Sequence, residues 1–150
     1  MQDPLIDILM ATYNGERFVG EQIESIQAQT YGNWRLLVSD DCSTDATLNV
    51  VRRYAAEDDR IRIVSDGVRY GGARENFFAL MKMTDAAYVM FCDQDDIWRD
   101  DKISVEISVL LNSERSHGPS CPIMVHSDLA LIDAAGGCSW GHCERGHQGC

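Results

Sequence analysis

At 150 residues, with 45% hydrophobic and 25% charged side chains, the chain has the material for one globular domain with a single core. Its net charge of −11 excludes non-specific nucleic-acid binding, which needs clustered Lys and Arg; any phosphate-bearing ligand would need a metal ion, an Arg or backbone N–H groups to approach. No apolar run reaches the ~18 residues of a spanning helix and the N-terminus has no signal-peptide pattern, so a cytoplasmic location is expected, with peripheral membrane association left open.

Strands and helices are predicted to alternate. Leu5–Ala11 reads as a first strand and Gly15–Gln29 as a helix with Val19, Ile23 and Ile26 on one face. A second strand, Trp34–Ser39, leads to a helix over Thr44–Ala56, capped by Ser43 or Thr44 and striped by Leu48, Val51 and Ala55. Arg60–Val64 is a short third strand, and Glu75–Met83 a helix with Phe77, Leu80 and Met81 inward. The Met residues, Phe77 and Phe78 read as core. Ala87–Cys92 is the fourth strand, Lys102–Leu111 the fourth helix, and Ile123–Ser127 a candidate fifth strand with His126 buried in it. This order implies an α/β fold: a mostly parallel sheet with helices on both faces and ligands bound beyond the carboxyl ends of the strands.

The polar clusters fall where that rule puts them. Thr12-Tyr13-Asn14 follows the first strand, Asp40-Asp41 the second, Asp93-Gln94-Asp95-Asp96 the fourth and Ser127-Asp128 the fifth. Three acids within four positions repel one another and are costly to desolvate, which makes best sense around a hard cation, Mg²⁺ or Mn²⁺, whose remaining ligands are phosphate oxygens. The competing reading is a solvated strand-to-helix turn with Asp96 or Asp100 as N-cap. An EF-hand is excluded, since counting from Asp93 places Trp98 where Gly is needed and Ser104 where Glu is needed. Asp40-Asp41 suits either turn chemistry or hydrogen bonding to a nucleobase or ribose, and Tyr13 either a turn or stacking on a base. Gly71-Gly72 before the third helix suits close approach to an anion. Arg74 there could grip a diphosphate or pair with Glu75. Lys102 and Arg99 read as solvated.

From Gly136 onward the chain is dense in Gly, Cys and His, and residues 136–150 read as an atypical tail, disordered or frame-shifted, after a domain over 1–135. Cys138, Cys143 and Cys150 lie beside His142 and His147, but their intervals of four and six residues do not match structural zinc. With six cysteines and no secretion signal, a disulfide framework is not expected.

Four segments in order, Ile8–Asn14, Ser25–Thr30, Val38–Asp45 and Phe91–Trp98, resemble family 2 glycosyltransferases of the GT-A fold, with a variant most similar to bacterial rhamnosyltransferase-type members. The resemblance covers roughly residues 5–135 and implies a nucleotide-binding α/β domain, a Rossmann-like sheet left incomplete here. It implies an inverting transfer from a UDP- or dTDP-linked sugar to a glycan or lipid-linked acceptor in cell-surface polysaccharide synthesis, at the inner face of the membrane. By position, Ala11 and Tyr13 would border the base, Asp41 would bind the uracil or thymine N–H with Asp40 beside it, and Arg74 would lie near the diphosphate. Asp93 and Asp95 match the metal-binding Asp-X-Asp, with Asp95 the direct ligand of Mn²⁺ or Mg²⁺ and Asp93 near the sugar or ribose.

The sequence departs from the pattern in three places. The family's general base lies on a later segment of the acceptor half, so it is expected beyond residue 150; Asp128 is near the site by topology but is not assigned that role. The tail is unlike the family, and Asp100 stands where relatives often carry Pro. An inactive nucleotide-binding fragment is the alternative to an enzyme. A phospho-receiver domain, from another class, would need its acidic pair after the first strand, where Thr12-Tyr13-Asn14 stands.

Overall fold

The computed structural model describes residues 3–118, 120–132 and 138–139. In chain order the elements are β1 (Ile6–Thr12), α1 (Val19–Gln27), β2 (Trp34–Asp40), α2 (Thr47–Glu57), β3 (Ile61–Ser65), α3 (Ala73–Met81), β4 (Tyr88–Cys92), α4 (Lys102–His117), β5 (Leu131–Ile132) and β6 (Cys138–Ser139). One compact unit runs to Val105 and a second begins at Glu106.

The first unit is a parallel sheet in the order β3-β2-β1-β4. β1 sits in the middle, with Ile6 beside Trp34 of β2 and Tyr88 of β4. Its apolar run is continuous because both its faces are covered. On one face Leu9 and Leu37 pack with Leu80 of α3, flanked by Ala11, Val64 and Phe77. The alternate residues Ile8, Met10, Leu36 and Val38 are also fully buried and point to the opposite face; α1 and α2 pack on each other, and α2 also meets β3. One charge is buried within the sheet. Asp7 of β1 is fully buried and is neutralised by Arg35 of β2, which donates to its two oxygens at 2.7 and 2.8 Å. Such a pair keeps the carboxylate from being a lone buried charge.

The predicted α/β class and parallel sheet are the observed ones, and five expectations are corrected. α2 starts at Thr47, later than its predicted start, and neither Ser43 nor Thr44 caps it; Ser43 is bonded to Asp40 and Thr44 to Asn14, so these residues belong to the loop. Ile123–Ser127 forms no strand, and His126 is exposed. Phe78, Met81 and Met83 are exposed, so α3 is held mainly by Leu80 and Asn76 with Phe77 partly covered. Lys102 is not simply solvated, since its ammonium lies 5.3 Å from the centre of the Trp98 ring.

In the second unit, two-residue β5 and β6 pair antiparallel, and Ser127 donates to Glu106 at 2.7 Å. Most of the Gly136–Cys150 tail, including His142, Cys143, His147 and Cys150, lies outside the described residues. Among the described residues no helix is long and apolar enough to cross a membrane.

Candidate functional site

The strand order reverses between β1 and β4: β2 and β3 lie to one side of β1, β4 to the other. A cleft opens at the carboxyl ends of the strands there, as expected for a doubly wound sheet. It has a volume of about 370 Å³, and its walls come from three segments: Ala11–Tyr13 at the end of β1, Asp93–Asp95 after β4, and Arg69 with Gly71–Ala73 leading into α3; Asp41 and Asn76 complete them.

The loops after β1 and β2 are laced together by polar contacts. Asn14 donates its N–H to Ser43 Oγ at 2.9 Å and accepts from Thr44 N at 2.8 Å, while Gly15 N donates to Thr47 Oγ1 at 2.8 Å. Glu16 and Asp45 exchange with the opposite loop in the same way. Burial alone would push the Asp45 carboxyl up, but hydrogen bonds from Thr47 and Glu16 hold it below the usual carboxylate range. Asn14 and Cys42 sit in the left-handed region, at φ 47° and 60°, which marks both turns as tight.

Asp40 and Asp41 point in different directions. Asp40 is fully buried; it accepts from Thr12 Oγ1 at 2.9 Å, Ser43 N at 2.7 Å and Ser43 Oγ at 2.6 Å. It ties β1 to β2 and does not line the cleft. Asp41 does line it, and its carboxylate accepts the N–H of Tyr70 and of Gly71, the latter at 3.0 and 3.1 Å. Gly71 takes φ 84°, a conformation that glycine adopts without strain, and this lets the chain turn its N–H groups onto Asp41.

The acidic turn is held from below by polar side chains. Gln22 and Ser25 of α1 and Gln29 just beyond it are buried, a polar row beside the apolar stripe. Gln29 accepts from Ile103 N at 3.0 Å and donates to the Arg99 carbonyl at 2.5 Å. Thr30 N donates to the Asp100 carbonyl at 2.8 Å, and Ser25 Oγ accepts from Trp98 N at 3.0 Å. With its amide turned to suit its neighbours, Gln22 donates to the Asp96 carbonyl and accepts from Trp98 Nε1 at 3.2 Å. The segment Ser25–Thr30 is thus a receptor for the backbone of residues 98–103. Asp93 and Asp95 are exposed at the cleft, and the Asp96 carboxyl is raised, first by partial burial and then by the charges of Asp93 and Asp95.

Gln94, between the two acids, does not face open solvent. It accepts from Tyr13 N at 3.0 Å and donates back to Tyr13 O at 3.0 Å. Its amide fills the space beside Gly15, where a Cβ would meet it at 2.3–2.9 Å.

Of the residues singled out from sequence, Ala11, Tyr13, Asp41, Asp93 and Asp95 share the cleft. Asp40 stands behind it. Arg74 is exposed and bound to Glu75 at 2.5 Å, outside the cleft lining. Arg69, Asn76 and Gln94 were not anticipated. Arg69 is an exposed cation in a loop with no periodicity, and Gln94 reads as a spacer until the fold brings Tyr13 to it. Asn76 is buried; its Nδ2 donates to the Ser39 carbonyl at 2.9 Å, and its Oδ1 finds no partner among the described residues.

A parallel sheet with acids from two strands and a glycine turn meeting at its switch point defines an α/β domain with a polar cleft at the carboxyl ends of its strands. The chain belongs to glycosyl transferase family 2, whose model matches residues 7–117. It is 37% identical over 116 residues to the Escherichia coli UDP-Glc:alpha-D-GlcNAc-diphosphoundecaprenol beta-1,3-glucosyltransferase WfgD, covering 77% of this chain and 45% of that one. It is 42% identical over 106 residues to the Shigella flexneri dTDP-rhamnosyl transferase RfbG, covering 68% and 37%. Among solved structures it resembles the mannosyltransferase PcManGT of Pyrobaculum calidifontis in complex with GDP-Man and Mn²⁺, at 25% identity and a TM-score of 0.64, covering 73% of this chain and 33% of that one. The chain spans less than half the length of these relatives.

Proposed function

We propose that the cleft binds a nucleotide-diphosphate sugar with a divalent metal ion, and that the chain is the donor-binding part of an inverting glycosyltransferase acting in cell-surface polysaccharide synthesis. The observation that carries this reading is the convergence of Asp41, Asp93 and Asp95, from the ends of two different strands, on one cleft of about 370 Å³. Relatives named for UDP-Glc and dTDP-rhamnosyl transfer support a UDP- or dTDP-linked donor. In this reading the acceptor is a glycan or lipid-linked glycan and the protein works in the cytoplasm, at the inner face of the membrane.

In this reading Ala11 and Tyr13 border the base. The Asp41 carboxylate already accepts two backbone N–H groups and keeps lone pairs for a base N–H. Asp40 sets the position of Asp41 from behind. Arg69 lies in the cleft as a cation for the diphosphate, whereas Arg74 must release Glu75 to reach it. Asp93 and Asp95 offer oxygen donors only, which fits Mn²⁺ or Mg²⁺. No cluster of three or more His, Cys, Asp or Glu able to hold a metal is found among the described residues. That suits an ion completed by diphosphate oxygens. When bound, the metal supplies Lewis-acid neutralisation of the leaving nucleoside diphosphate. No described residue is assigned as general base.

Isothermal titration with UDP and dTDP, in Mn²⁺ and in EDTA, tests this. Metal-dependent binding of one of them is expected; no binding of either in Mn²⁺ would sink the reading, and equal affinity in EDTA would remove the metal from it. Binding without sugar transfer would favour a nucleotide-binding module over a complete enzyme.

A further inference from the structure

Gln94 occupies the middle of the Asp-X-Asp turn, a position whose side chain has no part in the roles above. Its amide nonetheless makes a two-way match with the backbone of Tyr13, accepting from the N–H and donating to the carbonyl, each at 3.0 Å, across 81 residues of chain. A side-chain amide does both at once through two separate atoms, whereas a carboxylate cannot donate and an ammonium cannot accept. Gly15 leaves the space that this amide fills; a Cβ there would stand 2.3 Å from Gln94 Oε1 and 2.4 Å from its carbonyl carbon. The Tyr13 turn and the acidic turn are therefore one bonded unit.

We infer that Gln94 is a positioning residue that couples the two walls of the cleft, so that a cation held by Asp93 and Asp95 and a base held beside Tyr13 strengthen each other's binding. The inference rests on the nucleotide–metal reading of the cleft. Coupling of this kind needs a physical link with fixed geometry, and the paired hydrogen bonds supply one. Gly15 is part of the same device, because a larger residue there must push the amide off Tyr13.

The test measures how much Mn²⁺ strengthens UDP binding in the unmutated chain and in Gln94→Met, which keeps the side-chain length and removes both hydrogen bonds. The metal enhancement, taken as the ratio of affinity in Mn²⁺ to that in EDTA, should fall about tenfold in Gln94→Met, as two ordinary hydrogen bonds permit. Gly15→Ala alone should reproduce the loss. In the Gly15→Ala/Gln94→Ala pair, where the clash is gone, the enhancement should be no lower than in Gln94→Ala alone. Thermal melts of each variant separate this from unfolding. Full metal enhancement in a folded Gln94→Met overturns the inference while leaving the nucleotide reading intact, as do fully additive losses in the pair. No binding by the unmutated chain overturns both.

Discussion

Neighbouring carboxylates in this chain do different work because their surroundings differ. Asp40 has three hydrogen bonds to satisfy it in a site without solvent, and removing it would strand Thr12 and Ser43. Asp40→Ala should destabilise the protein by about 2–3 kcal/mol, the usual cost of leaving buried polar groups unmet, read as a lowered denaturant midpoint. Asp95 is exposed, so its removal leaves no buried group unmet among the described residues. Asp95→Ala should change stability by less than about 0.5 kcal/mol yet abolish metal-dependent nucleotide binding more completely than Asp93→Ala. Equal losses from the two would remove the assigned ranking. Both acids could be picked out in the sequence because they follow strands; which one served the fold could not, because that depended on Thr12, 28 residues away from Asp40.

At the scale of elements, the apolar periodicity located the helices well and missed what their polar positions do. α1 was read by Val19, Ile23 and Ile26, while the buried Gln22, Ser25 and Gln29 look like solvent residues until α4 and the acidic turn are set against them. Gln29→Ala should therefore cost about 2–3 kcal/mol, by leaving Ile103 N and the Arg99 carbonyl without partners, whereas the half-exposed Gln27 should tolerate the same change better. A second junction, between α2 and β3, is electrostatic. Asp58 accepts from the Arg60 guanidinium at 2.8 and 3.0 Å and from Gln27 at 3.1 Å. The Arg60 hydrogen bonds hold its carboxyl down at about 2, from an ordinary 3.8. A depressed folded-state value stabilises the native protein above the unfolded value and is lost as pH falls through the folded one. Asp58→Asn should thus lower stability at neutral pH by about 2 kcal/mol, and its deficit should close as pH drops from about 4 towards about 2. Denaturant titrations of both proteins across that range would show it, and a deficit that persisted at low pH would contradict the assignment.

For the molecule as a whole, a net charge of −11 opposes the approach of a nucleoside diphosphate. Raising ionic strength from about 0.01 to about 0.1 M shortens the screening length from ~30 to ~10 Å, so metal-free UDP binding should strengthen over that range. In Mn²⁺ the dependence should flatten or reverse. The parallel sheet and its cleft could be read from the order of apolar runs and polar clusters, but the span from Ile123 to Ser127 has strand composition without strand pairing, because composition does not say whether a partner strand is present. Cys92 closes β4 directly beneath the acidic turn; it is 1% exposed, with Sγ 3.3 Å from the Asp93 carbonyl, and burial pushes its thiol well above the usual range. A thiol so placed reacts only when the turn lifts away. Its alkylation rate, followed by peptide mass spectrometry against the exposed Cys121 in the same sample, is therefore a built-in clock for opening of the acidic turn, one that nucleotide and metal together should slow.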